Sequence, residues 1–415
     1  MRDGWRDRQI RLLMFFTNER QNRGKIASMN GIYSHVPFCI RKCSYCDFYS
    51  VEAKKETLER YCELLLKELE LLLCSFPLLA EIPADTVYFG GGTPSVLGPE
   101  RLRLLLEGIG ACLPLAKNAE ITLEANPGTL RKEDFHRLCK SGFNRISLGV
   151  QSFDTPSLAA LGRIHTASQA RKAFCNAREA GFLSAGIDLI FGNPMQKTAD
   201  WARDLEEAVA MFPDHISAYA LSPEPGTPIH HTIGRGEISL PSDDEVAEMY
   251  DMASEILTRA GYRHYEISNF ARPGHECRHN RKYWRRQGCL GLGPSAHGLL
   301  FPGKDAPSGM WTANPRSLEE YASGIDRGCL PWADRGARSQ PDAWEEFLVF
   351  GLRMAEGISL EEGEKMYGPR PTKLLPAVDR LIDSGYLLRD GSRLRMPKKY
   401  WFVSNELLSR LVQAS

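Results

Sequence analysis

The sequence predicts an α/β protein built on a parallel sheet, followed by a smaller α+β region at its carboxyl end. Three observations predict this. Six short strand-like runs recur along residues 32–222, with amphipathic helical stretches between them, and alternating βα units imply parallel pairing. Helical stretches close on glycines such as Gly142 and Gly181, residues that accept the left-handed turn ending a helix. From about residue 341 the texture changes to helices and then a hairpin pattern. On residue pattern alone, six units fit either a doubly wound sheet or a partial barrel.

Taken in order, the strands are "IYSHVPF" (32–38), "TVYFG" (86–90), "EITLEA" (120–125), "RISLGVQ" (145–151), "GIDLIFG" (186–192) and "HISAYALS" (215–222). Each is rich in β-branched or aromatic residues. The helices between them are "TLERYCELLLKELELLL" (57–73), "PERLRLLLEGIGACL" (99–113), "RKEDFHRLCKSG" (131–142), "SQARKAFCNAREAG" (168–181) and "DWARDLEEAVAMF" (200–212). Residues 301–340 hold many Pro, Gly, Ser and Asp and read as loop or linker. In the tail, residues 343–357 and 374–385 read as helices, and 386–396 as two strands about an Asp390-Gly391 turn. That order is winged-helix-like, and its plain role is packing. Residues 1–28 lack periodicity and are rich in Arg, Asn and Gln. They read as a disordered extension, with Met29 a candidate start. The organisation expected is therefore an extension to 28, a core over 29–300, a linker over 301–340 and a carboxyl-terminal domain over 341–415.

The 415 residues carry 52 basic and 52 acidic side chains, so no net field favours nucleic acid or anionic lipid. No run approaches the ~18 apolar residues of a membrane span. The basic start lacks the apolar region and cleavage site of a secretory signal. The cytoplasm is the compartment expected. There a cysteine cluster reads as metal or catalytic chemistry, not as disulfide.

Of eleven cysteines, three crowd into residues 39–46 as Cys39-x3-Cys43-x2-Cys46, directly after the first strand. The other eight scatter, several in apolar helical stretches, as small buried hydrophobes do. Soft thiolates at this spacing suit one metal centre. Structural zinc usually takes four ligands in two separated pairs, and no second CxxC pair exists. A 4Fe–4S cluster held by three thiolates leaves one iron open to a chelating ligand. Further polar residues fall at or beyond the ends of later strands: Glu124, Gln151, Arg163 and Asp188, with the glycine run "FGGGTPS" after the second. Singly, each reads as a cap, a turn or an ion-pair partner. Together they occupy the carboxyl ends of strands, where parallel α/β folds place their sites. The glycines would let backbone amides approach a ligand.

The CxxxCxxC loop with an aromatic, Tyr45, before its last cysteine resembles the radical S-adenosylmethionine (SAM) superfamily. The resemblance implies a partial (βα)6 TIM-like barrel, with a [4Fe-4S] cluster on Cys39, Cys43 and Cys46 whose open iron takes SAM. "HVPFC", "GGGTPS", "EANP", "SLGVQSF", "GIDLIFGNP" and "YALSPEPGTP" extend the likeness to the HemN-like, coproporphyrinogen-dehydrogenase branch over most of residues 31–300. By that likeness the SAM residues are Tyr33, Tyr45, Gly91, Gly92, Thr93, Glu124, Gln151, Arg163, Asp188 and Ala220. The decarboxylating members carry a fourth cysteine two residues after the third. Here that position is Phe48, as in the heme-chaperone (HemW) family. The stretch "RHNRKYWRR" supplies an HNxxYW element, His279-Asn280-x2-Tyr283-Trp284, similar to that family's proposed heme-binding motif.

A neutral imidazole is a standard axial ligand of heme iron. Tyr283 and Trp284 offer flat apolar surface, and Arg281, Lys282 or Arg285 could pair with propionates. Unaided by the resemblance, His279 reads equally as a hydrogen-bonded core histidine, the aromatic pair as core, and His275 with Cys277 as part of a small zinc site. The likeness implies heme delivery to apo-hemoproteins of the respiratory-chain type by a monomer or homodimer, with no nucleic-acid partner and peripheral membrane association left open. Its alternative is anaerobic decarboxylation of coproporphyrinogen III.

Overall fold

The computed structural model describes residues 29–303, 306 and 308–412. The expectation for residues 1–28 lies outside them. Six parallel strands run in chain order: β1 (Asn30–Val36), β2 (Ala84–Gly91), β3 (Leu115–Ala125), β4 (Arg145–Gln151), β5 (Ser184–Phe191) and β6 (His215–Ala220). Five further strands complete one side or the other: β7 (Arg263–Glu266), β8 (Asn269–Ala271), β9 (Cys289–Leu292), β10 (His297–Leu300) and β11 (Met310–Ala313). With β12 (Asp334–Ala337) the sheet has twelve strands, in the order β12-β11-β10-β9-β1-β2-β3-β4-β5-β6-β8-β7.

The order of β1 to β6 never reverses, so the sheet is singly wound and the doubly wound alternative falls. It also curls. In a flat sheet β1 and β6 would lie about 24 Å apart. Yet Ile229, in a short helix after β6 (Pro228–Gly234), donates its N–H to the Ser44 carbonyl in the loop after β1, at 3.0 Å. The result is a partial barrel.

Alternation within each strand explains the curl's two faces. Ile32 and Val36, Val87 and Phe89, Leu123, Ile146 and Leu148, Ile187 and Leu189 all point outward and are fully buried under helices. Those helices are α1 (Lys55–Ser75), α2 (Gly98–Cys112), α3 (Lys132–Lys140), α4 (Ala167–Ala180), α5 (Thr198–Ala210) and α6 (Asp243–Arg259). Thr166 and Gln169 form a capping box at the start of α4, and Gly181 ends it at φ 92°. The inward positions are polar: Tyr33, Tyr88, Glu124, Ser147, Asp188 and Ser217 lie at neighbouring register positions on successive strands.

A short helix, α7 (Arg278–Trp284), precedes β9. The carboxyl-terminal domain holds α8 (Gln340–Gly351), α9 (Leu360–Tyr367), α10 (Leu375–Asp383) and α11 (Ser404–Val412) beside a three-stranded sheet. Two sequence expectations need correcting. Residues 301–340 are not merely linker: β11, β12 and a helix at Leu318–Asp326 lie there, because backbone pairing outweighs a turn-rich composition. The hairpin pairs Asp390 with Arg393, so Asp390 is still strand and the turn is Gly391-Ser392, where Gly391 supplies φ 58°.

Candidate functional site

The loop leaving β1 carries the three cysteines to the carboxyl end of the barrel. Burial, and then the neighbouring Cys43 and Cys39 thiolates, push the Cys46 thiol up. The three sulfurs therefore share one electrostatic neighbourhood. Cys39 Sγ lies 3.4 Å from Thr93 Oγ1, and Arg163 Nη1 donates to Cys43 Sγ at 3.4 Å. Among the described residues no three His, Cys, Asp or Glu side chains converge closely enough to hold a single metal ion. Three soft thiolates on one loop fit a multi-iron cluster, in which each thiolate takes its own iron.

Asn126 organises the polar side of this space. Its amide donates to Thr93 Oγ1 at 2.9 Å and its oxygen accepts from Arg163 Nη2 at 2.6 Å. Arg163 also reaches the Gly149 carbonyl at 2.6 Å, and its charge acts on Tyr45 of the cysteine loop, opposing the rise that burial gives the phenol. Cys43, Thr93, Asn126 and Arg163 all line one cleft. Gln151 ends β4 at φ 68°. That left-handed conformation in a non-glycine residue costs of order 1–3 kcal/mol and gathers at functional sites.

Deeper in, Glu124 accepts from the Tyr88 hydroxyl at 2.6 Å and from Gly91 N–H at 3.2 Å. Burial raises its carboxyl to about 7, with Asp188 adding to the effect. Asp188 is likewise raised by burial and accepts from Ser147 at 3.0 Å. Tyr33 pairs with His35 at 3.1 Å. Ala220 ends β6 in the open. The glycines act differently from the expectation. Gly91 N–H is taken by Glu124 and Gly92 N–H by the Val36 carbonyl, so these amides are engaged within the chain. What the run supplies is space. A Cβ on Gly91 would meet the His35 ring at 2.7 Å, and one on Gly92 the Phe38 carbonyl at 2.8 Å.

The HNxxYW element lies at the opposite, amino-terminal end of the barrel, on α7. Glu120 of β3 receives the N–H groups of Arg278 and His279 at 3.1 and 3.0 Å. Lys282 reaches Asp85 at 2.6 Å. His279 is only 1% exposed. Its Nδ1 pairs with Thr86 Oγ1 at 2.9 Å, and its ring stacks on Tyr88 with centroids 5.0 Å apart. Burial, then Lys282, lowers its pKa to about 3, so the imidazole is neutral at physiological pH. The Tyr283 hydroxyl touches Cys289 Sγ at 3.4 Å. Asn280 and Trp284 are half-buried, and the Arg353 guanidinium lies over the Trp284 ring at 5.5 Å.

The carboxyl-terminal domain covers this helix. Arg281 and Arg285 pair with Glu356, and Arg286 with Glu346. The fold thus gathers the cysteine-loop, Thr93, Glu124, Arg163 and Asp188 positions, and keeps the four HNxxYW residues apart from Cys39, Cys43 and Cys46. Sequence reasoning missed Tyr88, Asn126 and Glu120. Strand alternation could have flagged Tyr88, since Thr86, Tyr88 and Gly90 share the face opposite Val87 and Phe89.

Residues 33–208 match the Radical SAM superfamily and residues 339–403 the HemN C-terminal domain. The heme chaperone HemW of Escherichia coli is 36% identical over 358 residues, covering 86% of this chain and 91% of the relative. The heme chaperone HemW of Mycobacterium tuberculosis is 41% identical over 80% of this chain and 83% of its own. Among solved structures, the Escherichia coli coproporphyrinogen III oxidase HemN, a radical SAM enzyme, superposes with TM-score 0.78 at 22% identity, covering 92% of this chain and 90% of that one. That last likeness speaks to fold alone.

Proposed function

We infer the function from one premise: the chain belongs to the HemW family of the radical SAM superfamily. It is a heme chaperone, which binds heme and passes it to apo-hemoproteins. Cys39, Cys43 and Cys46 would hold a [4Fe-4S] cluster, leaving one iron for SAM. When bound, that cluster supplies one-electron reducing chemistry. The chain's own residues prepare the place. The carboxylates of Glu124 and Asp188 would face the positive charges of SAM, while Arg163, Asn126 and Thr93 set the shape of the cleft beside Cys43. At the other end, His279 would ligate heme iron. Its neutral imidazole is the ligating form, and its burial against Thr86 and Tyr88 means that α7, pinned by the carboxyl-terminal domain through Arg281 and Arg285, must first move off the barrel. The remaining assignments are a cytoplasmic protein, monomer or homodimer, whose recipients are respiratory-chain hemoproteins.

The observation that carries the chaperone reading over the decarboxylase reading is Phe48. The position where decarboxylating relatives place a fourth cysteine holds a phenyl ring that is 65% exposed. An anaerobic assay of the cluster-reconstituted protein with SAM tests this. No conversion of coproporphyrinogen III is expected, and robust turnover overturns the chaperone reading. A heme titration of wild type against His279→Ala tests the ligand. The variant should lose affinity and show an altered Soret band; an unchanged spectrum and affinity remove His279 from the site.

A further inference from the structure

Tyr88 is assigned no role by the cluster, SAM or heme readings, yet it stands between two of them. Its hydroxyl donates to Glu124 Oε1 at 2.6 Å. Its ring stacks on His279 at 5.0 Å and lies 6.1 Å from Tyr33. The convergence is built into the backbone. A Cβ on Gly90 would meet the Tyr88 ring at 2.8 Å, the Tyr33 ring at 3.0 Å and Glu124 Oε1 at 3.2 Å, so only glycine at 90 lets the three groups approach. Among the described residues Glu124 has two donors, Tyr88 and the Gly91 amide. One buried hydroxyl therefore supplies half of the hydrogen bonding that fixes the carboxylate.

We propose that Tyr88 is a positioning residue: its hydroxyl aims the Glu124 carboxylate at the SAM pocket, and its ring braces His279 from the same side chain. The proposal rests on Glu124 belonging to the SAM site. The two ends of Tyr88 act on different neighbours, so truncating them in turn separates the effects. Losing the hydroxyl leaves the carboxylate with the Gly91 amide alone. A hydrogen bond to a charged group stabilises that charged form, so its removal favours the protonated, neutral Glu124, which attracts a cationic ligand poorly. The groups facing Glu124 are Tyr33 from β1, Tyr88 and the Gly91 amide from β2 and Asp188 from β5. Asp188 in turn is held by Ser147 and Ser217 and sees Arg145 and Arg163. None of these is removed by trimming the Tyr88 hydroxyl.

The test uses the full chain with its cluster reconstituted anaerobically, cluster absorption near ~400 nm confirming an intact fold. SAM affinity is measured by calorimetry across pH for wild type, Tyr88→Phe and Glu124→Gln. In wild type the affinity should rise as pH passes the Glu124 titration and then level. In Tyr88→Phe the rise should move to higher pH, with affinity about tenfold weaker near neutrality and the deficit shrinking at higher pH. A Tyr88→Phe profile that overlays wild type, while Glu124→Gln binds SAM weakly, overturns the role of the hydroxyl. Glu124→Gln binding SAM as wild type does places Glu124 outside the SAM site, and the premise fails before the proposal. Tyr88→Leu, lacking the ring as well, should disturb the heme Soret band more than Tyr88→Phe does. A Soret band in Tyr88→Leu identical to wild type overturns the bracing of His279.

Discussion

Reversing the charge of Glu356 should free α7 to move off the barrel and so expose His279 to heme. Glu356 accepts from Arg285 Nη2 at 2.6 Å and Nε at 3.0 Å, and from Arg281 Nη2 at 3.5 Å. The Arg285 and Glu356 side chains are 41% and 42% exposed, so each pair is worth only about 0.2–1 kcal/mol. Glu356→Arg removes both pairs and sets a third guanidinium beside the first two. A combined destabilisation of the closed arrangement of about 1.5 kcal/mol follows, or roughly tenfold in the opening equilibrium.

Where the competent form is a minor one, apparent association scales with its population. Stopped-flow measurement of the Soret change should therefore show heme associating about tenfold faster with Glu356→Arg, and Arg285→Glu in the same chain should restore much of the wild-type rate. Rates equal within about twofold for wild type and Glu356→Arg would refute the claim that this domain contact limits access. Glu346 is the wrong place to ask. Its partner Arg286 has a side chain of 0% exposure, and stripping a buried cation of its counter-ion costs about 3–5 kcal/mol, which would loosen the domain contact wholesale.

Two other outcomes are expected. Replacing Cys39, Cys43 or Cys46 singly with Ala should abolish the brown ~400 nm absorption of the reconstituted protein, and retention of that band by all three variants would remove the cluster assignment. Glu68 is buried in α1, accepts from Gly293 N–H, Asn314 and Tyr321 at 2.8, 2.6 and 2.7 Å, and is raised by burial to about 7. Its folded pKa lies above its unfolded one, so its contribution to stability is complete below about pH 4.5 and declines as pH rises to about 7. Thermal melts of Glu68→Gln should show a shallower loss of stability between those limits than wild type; parallel curves would show that Glu68 does not titrate there.

Much of the scaffold was legible in the chain. The strand read at 145–151 has the same bounds in the structure, and the other five lie within a few residues, because β-branched runs between helical periods carry a local signal. The cysteine loop and the polar residues at later strand ends were legible for the same reason: the order of βα units fixes which loops reach the carboxyl face. Residues 301–340 were misread because their strands form by pairing with β10 and with each other, a long-range event that leaves little trace in local composition.

By itself, then, the sequence determined the βα order, the three-thiol loop, Phe48 in place of a fourth cysteine, and the HNxxYW spacing, all of which are properties of neighbours along the chain. Only the tertiary structure decided that the sheet curls, that α7 fills the end of the barrel away from the cysteines, and that the carboxyl-terminal domain lies over it. It also decided that the glycine amides are engaged within the chain and that Tyr88 touches both Glu124 and His279. The reason is physical. His279 and Thr86 are separated by 193 positions in sequence and by 2.9 Å in space, and burial of that kind is settled by how the strands close around their polar interior, not by any run of adjacent residues.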